Sequence, residues 1–114
     1  EFASDEKLIA AASAACEENG IRHIVGKIAT GDCFVGDSAT KNSIAAKCAP
    51  DCVEMEGAAV AHIAAKNGVP FVILRAMSDD ADEEGFEKLV GKPFDISDYC
   101  RTAAKISRSL IARL

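Results

Sequence analysis

Val69-Pro70-Phe71-Val72-Ile73-Leu74, running directly into Arg75-Ala76-Met77-Ser78-Asp79, is the stretch on which the fold turns. Its first six residues are the most hydrophobic in the chain. Their β-branched content, their number and the leading proline predict a central strand buried on both faces. Upstream, the Ala-rich segment 57–66 with Val60 and Ile63 reads as a closely packed helix, and Asn67-Gly68 supplies its left-handed stop. A short strand is expected at 52–55, and before it a short helix at 38–47 that Pro50 keeps from continuing. Residues 21–35 read as extended chain. The first helix is capped by Ser4 or Asp5, stopped by Gly20, and places Leu8, Ile9, Ala12 and Cys16 on one face. Downstream come an acidic loop at 80–84 and a last helix starting near Asp95 or Ser97. Tyr99, Cys100, Ala103, Ile106, Leu110, Ile111 and Leu114 form that helix's stripe. Strands alternating with helices predict a layered α/β fold.

Composition narrows the function. The 114 residues are 49% apolar, with 13 basic against 18 acidic side chains. No basic stripe is present, which argues against binding a nucleic-acid backbone. No segment reaches the roughly 20 apolar residues of a membrane span. Cys16, Cys33, Cys48, Cys52 and Cys100 are an odd, scattered set, expected as reduced thiols rather than a disulfide framework. Cys48 and Cys52 bracket Ala49-Pro50-Asp51 without the second pair or histidines of a zinc site. The start, Glu1-Phe2-Ala3-Ser4, has no initiator Met and no signal-peptide pattern, so a processed, cloned or cleaved beginning and a cytoplasmic setting are expected.

Ligands of open α/β sheets bind beyond the carboxyl ends of strands. Three polar groups fall there: Asp32-Cys33-Phe34, Glu54-Met55-Glu56 and Ser78-Asp79. Asp79 at the exit of a buried strand either holds a proton for a leaving group or caps the following turn. Glu54 and Glu56 flank Met55 at the end of the second strand. One of them can accept two hydrogen bonds from vicinal hydroxyls, or both simply favour the start of the helix that follows. Phe34 can stack on a flat heterocycle or fill the core. Arg75, if buried, needs Glu56 or Asp79 as a partner. His23 and His62 read as structural. Asp80, Asp82, Glu84 and Gly85 mimic the opening of a calcium loop, but Gly91 stands where a bidentate Glu is required, which excludes that motif.

Three motifs together resemble one family. Val53-Glu54-Met55-Glu56-Gly57-Ala58-Ala59 is similar to a signature of nucleoside phosphorylases and nucleosidases. Arg75-Ala76-Met77-Ser78-Asp79-Asp80-Ala81-Asp82 looks like that of the 5′-methylthioadenosine/S-adenosylhomocysteine nucleosidases, and Thr30-Gly31-Asp32-Cys33-Phe34-Val35 resembles the same family's first turn. The resemblance runs from about Phe2 to the C-terminus. It implies a three-layer α/β/α nucleoside phosphorylase-like fold with a mixed central sheet, residues 1–114 being the C-terminal half of its single domain. It further implies that Asp79 protonates or hydrogen-bonds adenine N7 and Ser78 orients that carboxyl. Arg75 would organise the site around Glu56 and the attacking water. Glu56 would bind the ribose hydroxyls, Met55 would pack on the sugar, Phe34 would stack on adenine, and the Val35 backbone would read its edge. The reaction implied is hydrolysis of the N-glycosidic bond, with no metal or cofactor and with a homodimer as the assembly.

Two departures qualify the resemblance. The family's chain is about twice as long, and its first half carries the glutamate that activates water. No residue here matches that glutamate, so this chain alone is expected to be inactive and to need the N-terminal half as a partner. Residues 85–98 also depart from the family pattern near the substrate's 5′ side, which leaves the preferred 5′ group open. Rival readings are a purine nucleoside phosphorylase, a futalosine hydrolase, or a non-catalytic nucleoside-binding protein. Asp80-Ala81-Asp82, in place of the His-containing pattern of hexameric phosphorylases, favours the hydrolase.

Overall fold

The computed structural model describes residues 1–77, 80–91 and 96–114. Two compact units make up the chain. The first comprises Glu1–Val25, Val60–Ala76 and Asp95–Leu114, and the second Gly26–Ala59 and Met77–Phe94.

In the first unit, helix α1 (Glu6–Glu18) begins where the Asp5 carboxylate accepts hydrogen bonds from the backbone N–H groups of Lys7 (2.9 Å) and Leu8 (3.0 Å). It ends in a Schellman turn. Gly20 takes φ +65°, Ile21 N–H donates to Cys16 O and Gly20 N–H to Glu17 O. The core forms around Ala12, Ala15 and Leu110, with Ala11, Val72 and Ile106 packed against it. Leu110 and Ile106 belong to the last helix, Ser97–Ile111, which packs on α1. Ala15, fully buried, lets the two helices approach closely. Glu18 ties the pair at the surface, accepting from the Ser109 hydroxyl and pairing with Arg113 at 2.8 Å. Of the expected apolar stripe, Ile106 and Leu110 pack inward, whereas Ile111 and Leu114 lie exposed. Burial pushes the Cys16 thiol up, as does the neighbouring Glu17 carboxylate.

The central strand expected at 69–74 is not formed among the described residues. Asp5 N–H donates to Phe71 O at 2.9 Å, and Val72 reaches the core. Yet Val69 and Leu74 stand 55% and 43% exposed, and the segment has no ladder partner. A strand is defined by the neighbour it bonds to, and hydrophobicity alone does not supply one.

In the second unit, β1 (Ile28–Thr30) and β2 (Cys52–Glu54) form a parallel pair, with Ile28 opposite Cys52, Ala29 opposite Val53 and Thr30 opposite Glu54. This two-stranded parallel sheet stands in place of the expected mixed one among the described residues. Parallel strands require a crossover, and it is provided by α2 (Ser38–Cys48), capped by Asp37 through Thr40 N–H at 2.8 Å. Its end is a left-handed Ala49 (φ 44°) just before Pro50. At the other end of the ladder the Asp51 carboxylate accepts from Lys27 N–H at 2.7 Å, occupying the space a side chain at Gly26 would need.

Helix α3 (Gly57–Lys66) starts in this unit and closes in the first with a second Schellman turn at Gly68 (φ +65°), where Val69 N–H donates to Ala64 O. The segment expected as an acidic loop opens a helix, α4 (Glu83–Gly91). Its start is capped by Asp82, which accepts from Gly85 N–H at 2.8 Å. The last helix is therefore α5.

Candidate active site

Because β1 and β2 are parallel and Thr30 lies opposite Glu54, both strands end at the same level. The two loops that leave there, 31–35 and 55–56, start from one edge of the sheet. These loops carry Phe34, Val35, Met55 and Glu56, the four residues expected to bind substrate.

The two glutamates of the Glu54-Met55-Glu56 run divide sharply. Glu54 is only 9% exposed, and its carboxylate is committed to the fold. One oxygen accepts from the N–H groups of Glu56 (3.0 Å) and Gly57 (2.7 Å), and the other from the Thr30 hydroxyl. Thr30 Oγ1 in turn accepts from Ala58 N–H at 2.9 Å. The first turn of α3 is thus capped by a neighbouring strand and by a carboxylate from just upstream, where a Ser or Asp N-cap would ordinarily serve. A Cβ at Gly57 would stand 3.0 Å from Glu54 Oε1, so the glycine leaves room for that carboxylate. Glu56 is exposed, as is Met55. Which of the two glutamates is committed to the fold was not legible in the sequence.

Phe34 stands 50% exposed and Val35 is buried. The turn thus sets an exposed aromatic beside a buried aliphatic. Arg75 is exposed and belongs to the first unit, so the pairing with Glu56 or Asp79 expected of a buried arginine does not follow from its burial. Ser78 and Asp79 lie outside the described residues.

The chain just beyond Asp79 is held by side chains of the second unit. Lys41 Nζ donates to Asp80 O at 2.7 Å and stands 3.9 Å from Asp82 Oδ2. Glu83 accepts from both the N–H (3.0 Å) and the hydroxyl (2.6 Å) of Ser38, the first residue of α2. These bonds to Ser38 are the main reason the Glu83 carboxyl is lowered to about 2. Between the anchored residues, Ala81 adopts a left-handed φ of 54°. Within the acidic run that mimics a calcium loop, Asp82 caps α4 and faces Lys41, and Glu84 pairs with Lys88 at 2.8 Å. An Asp followed by two Glu is itself a helix-start pattern, and it was the available signal for α4.

His62 stacks on Phe2, with ring centroids 5.4 Å apart and planes at 23°, in keeping with a structural role. All five cysteines are free thiols.

The phosphorylase superfamily matches residues 1–113. The chain belongs to that superfamily. It is 39% identical to the 5′-methylthioadenosine/S-adenosylhomocysteine nucleosidase of Geobacillus kaustophilus over 96% of its own length and 45% of that protein. It is also 39% identical to the aminodeoxyfutalosine nucleosidase of Campylobacter jejuni, over 97% of its length and 45% of that protein. Among solved structures, the methylthioadenosine/S-adenosylhomocysteine nucleosidase of Helicobacter pylori superposes with a TM-score of 0.86 at 33% identity, covering 99% of this chain and 47% of that one. That structure holds an amino-pyrrolopyrimidine joined to a hydroxypyrrolidine with a thioether arm. The α/β nucleoside phosphorylase-like fold is therefore shared, and the chain spans about half the length of the curated relatives it matches.

Proposed function

We propose that this chain supplies the adenine- and ribose-binding part of an N-glycosidic hydrolase that releases adenine from 5′-methylthioadenosine and S-adenosylhomocysteine. The observation that carries the reading is the division of labour at the end of β2: Glu54 is committed to the start of α3, while Glu56 is exposed beside Met55. An ionised carboxylate can accept from both the 2′- and 3′-hydroxyls of a ribose. Phe34 stacks on the base, and the Val35 backbone reads its edge. Asp79, oriented by Ser78, delivers a proton to N7, so the base departs with the bonding pair as the C1′–N9 bond breaks. Water adds to the oxocarbenium-like C1′ and loses its proton to a base. Leaving-group protonation and a positioned nucleophile are the two requirements of this cleavage.

We assign the glutamate that accepts the water's proton to the N-terminal half of the three-layer fold, outside these 114 residues. The exposed Val69 and Leu74 support this, since a half sheet leaves such residues uncovered. Arg75 acts in that completed site, and the complete enzyme is a cytoplasmic homodimer. A second reading, hydrolysis of aminodeoxyfutalosine, is favoured by the likeness to the Campylobacter protein and differs only in the 5′ group.

The test is adenine release from 5′-methylthioadenosine, S-adenosylhomocysteine and aminodeoxyfutalosine, by this chain alone and with the N-terminal polypeptide added. Release only from the pair supports the reading, and the ranking of substrates decides between the two 5′ groups. Release by the lone chain removes the need for the missing glutamate. Adenine binding without turnover in the pair leaves a nucleoside-binding protein.

A further inference from the structure

We propose that Thr30 and Glu54 are positioning residues for the Glu56 carboxylate, which they keep off the start of α3 and turn toward the ribose; this rests on the hydrolase reading above. A carboxylate on the residue just before a helix is drawn back to the first turn. There it finds unpaired N–H donors and the positive end of the helix dipole. Glu56 holds that place, since α3 begins at Gly57. A ribose would then have to compete with the helix for the same oxygens.

Other groups already occupy those donors. Gly57 N–H donates to Glu54 Oε2 at 2.7 Å, Ala58 N–H to Thr30 Oγ1 at 2.9 Å and Ala59 N–H to Glu56 O at 3.1 Å. The start of α3 therefore makes no demand on the Glu56 side chain, which is exposed. Glu56 N–H is itself held by Glu54 Oε2 at 3.0 Å, which fixes the backbone from which that side chain leaves. Both capping groups are placed by the sheet, because Thr30 and Glu54 lie opposite one another in the parallel register. The Thr30 hydroxyl donates to the remaining Glu54 oxygen, so each side chain holds the other in place. Glu54 also sets a buried negative charge at the helix start, and like charge repels a second carboxylate from it.

The test is steady-state adenine release from 5′-methylthioadenosine by the enzyme completed with its N-terminal half, expressed per folded molecule. Thr30→Val keeps the shape and removes the hydroxyl, which opens Ala58 N–H to the Glu56 carboxylate. KM should rise roughly 5- to 20-fold with kcat changed less than about threefold, the pattern of lost uniform binding. Thr30→Ala should raise KM in the same way, and Thr30→Ser should restore it. With Glu56→Gln already in place, Thr30→Val should change KM less than about twofold, because the group it acts through is gone. Gly26→Ala, at the far end of the ladder, should lower stability and leave KM unchanged. An unaltered KM in Thr30→Val beside an active wild type overturns the positioning role alone. An equal rise in the Glu56→Gln background, or in Gly26→Ala, overturns it too. A wild type that releases no adenine overturns the proposed function, and the positioning role with it.

Discussion

The Thr30 hydroxyl donates to the Glu54 carboxylate directly across the parallel ladder, and both side chains then turn to the first N–H groups of α3. One sheet register therefore fixes where a helix begins and, through the intervening Met55 and Glu56, where a binding loop emerges. Glu54→Ala strips the partner from Gly57 N–H in a buried setting. It should destabilise the fold by about 1–3 kcal/mol. Thr30→Val should cost about 1 kcal/mol or more, and the double variant should depart from additivity by roughly 0.5–3 kcal/mol because the two share a network. Denaturant unfolding of the four proteins measures the coupling.

Glu56→Gln is expected to behave in the opposite way. The side chain is exposed, so unfolding midpoints should stay within about 0.5 kcal/mol of wild type. In the enzyme completed by its N-terminal half, the proposed activity should fall about 10- to 100-fold in kcat/KM, the loss expected when hydrogen bonds to a charged group are weakened. Steady-state kinetics on 5′-methylthioadenosine, set beside the unfolding curve, tests the division between the two glutamates.

Stability at acid pH should depend on Glu83. Its folded value of about 2 lies below the ordinary 4.5, so the ionised form favours the folded chain. That contribution is fully present above about pH 4.5 and fades as the pH falls toward 2. Glu83→Gln should thus be less stable than wild type near neutrality, with the gap closing through this window. Thermal melts of both proteins across the acid range decide it. A gap that stays constant would mean that Glu83 contributes by shape rather than by charge.

Gly26→Ala should destabilise the chain by about 1–3 kcal/mol, as overpacking does. The added methyl would overlap the Asp51 side chain, which is held in place by Lys27 N–H. Gly31→Ala is the control, since nothing lies within 4 Å of the added carbon. Comparing the two unfolding midpoints separates the close contact from the general effect of removing a glycine.

Local signals carried much of the architecture. Asp5, Asp37, Gly20 and Asn67-Gly68 act on hydrogen bonds within a few residues of themselves, and the helices they bound lie where the sequence puts them. The three motifs likewise identified the superfamily, because they are runs of consecutive residues. One local misreading came from charge. The run from Asp80 to Glu84 reads as a solvated loop, yet Asp82 caps α4 and Glu83 bonds to a helix start 45 residues upstream.

What the sequence by itself determined was that residues 31–35 and 55–56 follow the carboxyl ends of two strands. Only the tertiary structure decided what each one is committed to. Glu54 and Glu56 are the same chemical group two residues apart, and no local rule separates them. The register of β1 on β2 does, by placing the Thr30 hydroxyl beside one carboxylate and leaving the other exposed. The 69–74 segment makes the same point in reverse, since its hydrophobicity is a property of the chain and its strand pairing belongs to a neighbour. Hydrogen bonds between distant segments depend on the whole fold, so the commitments they create become legible only once that fold is known.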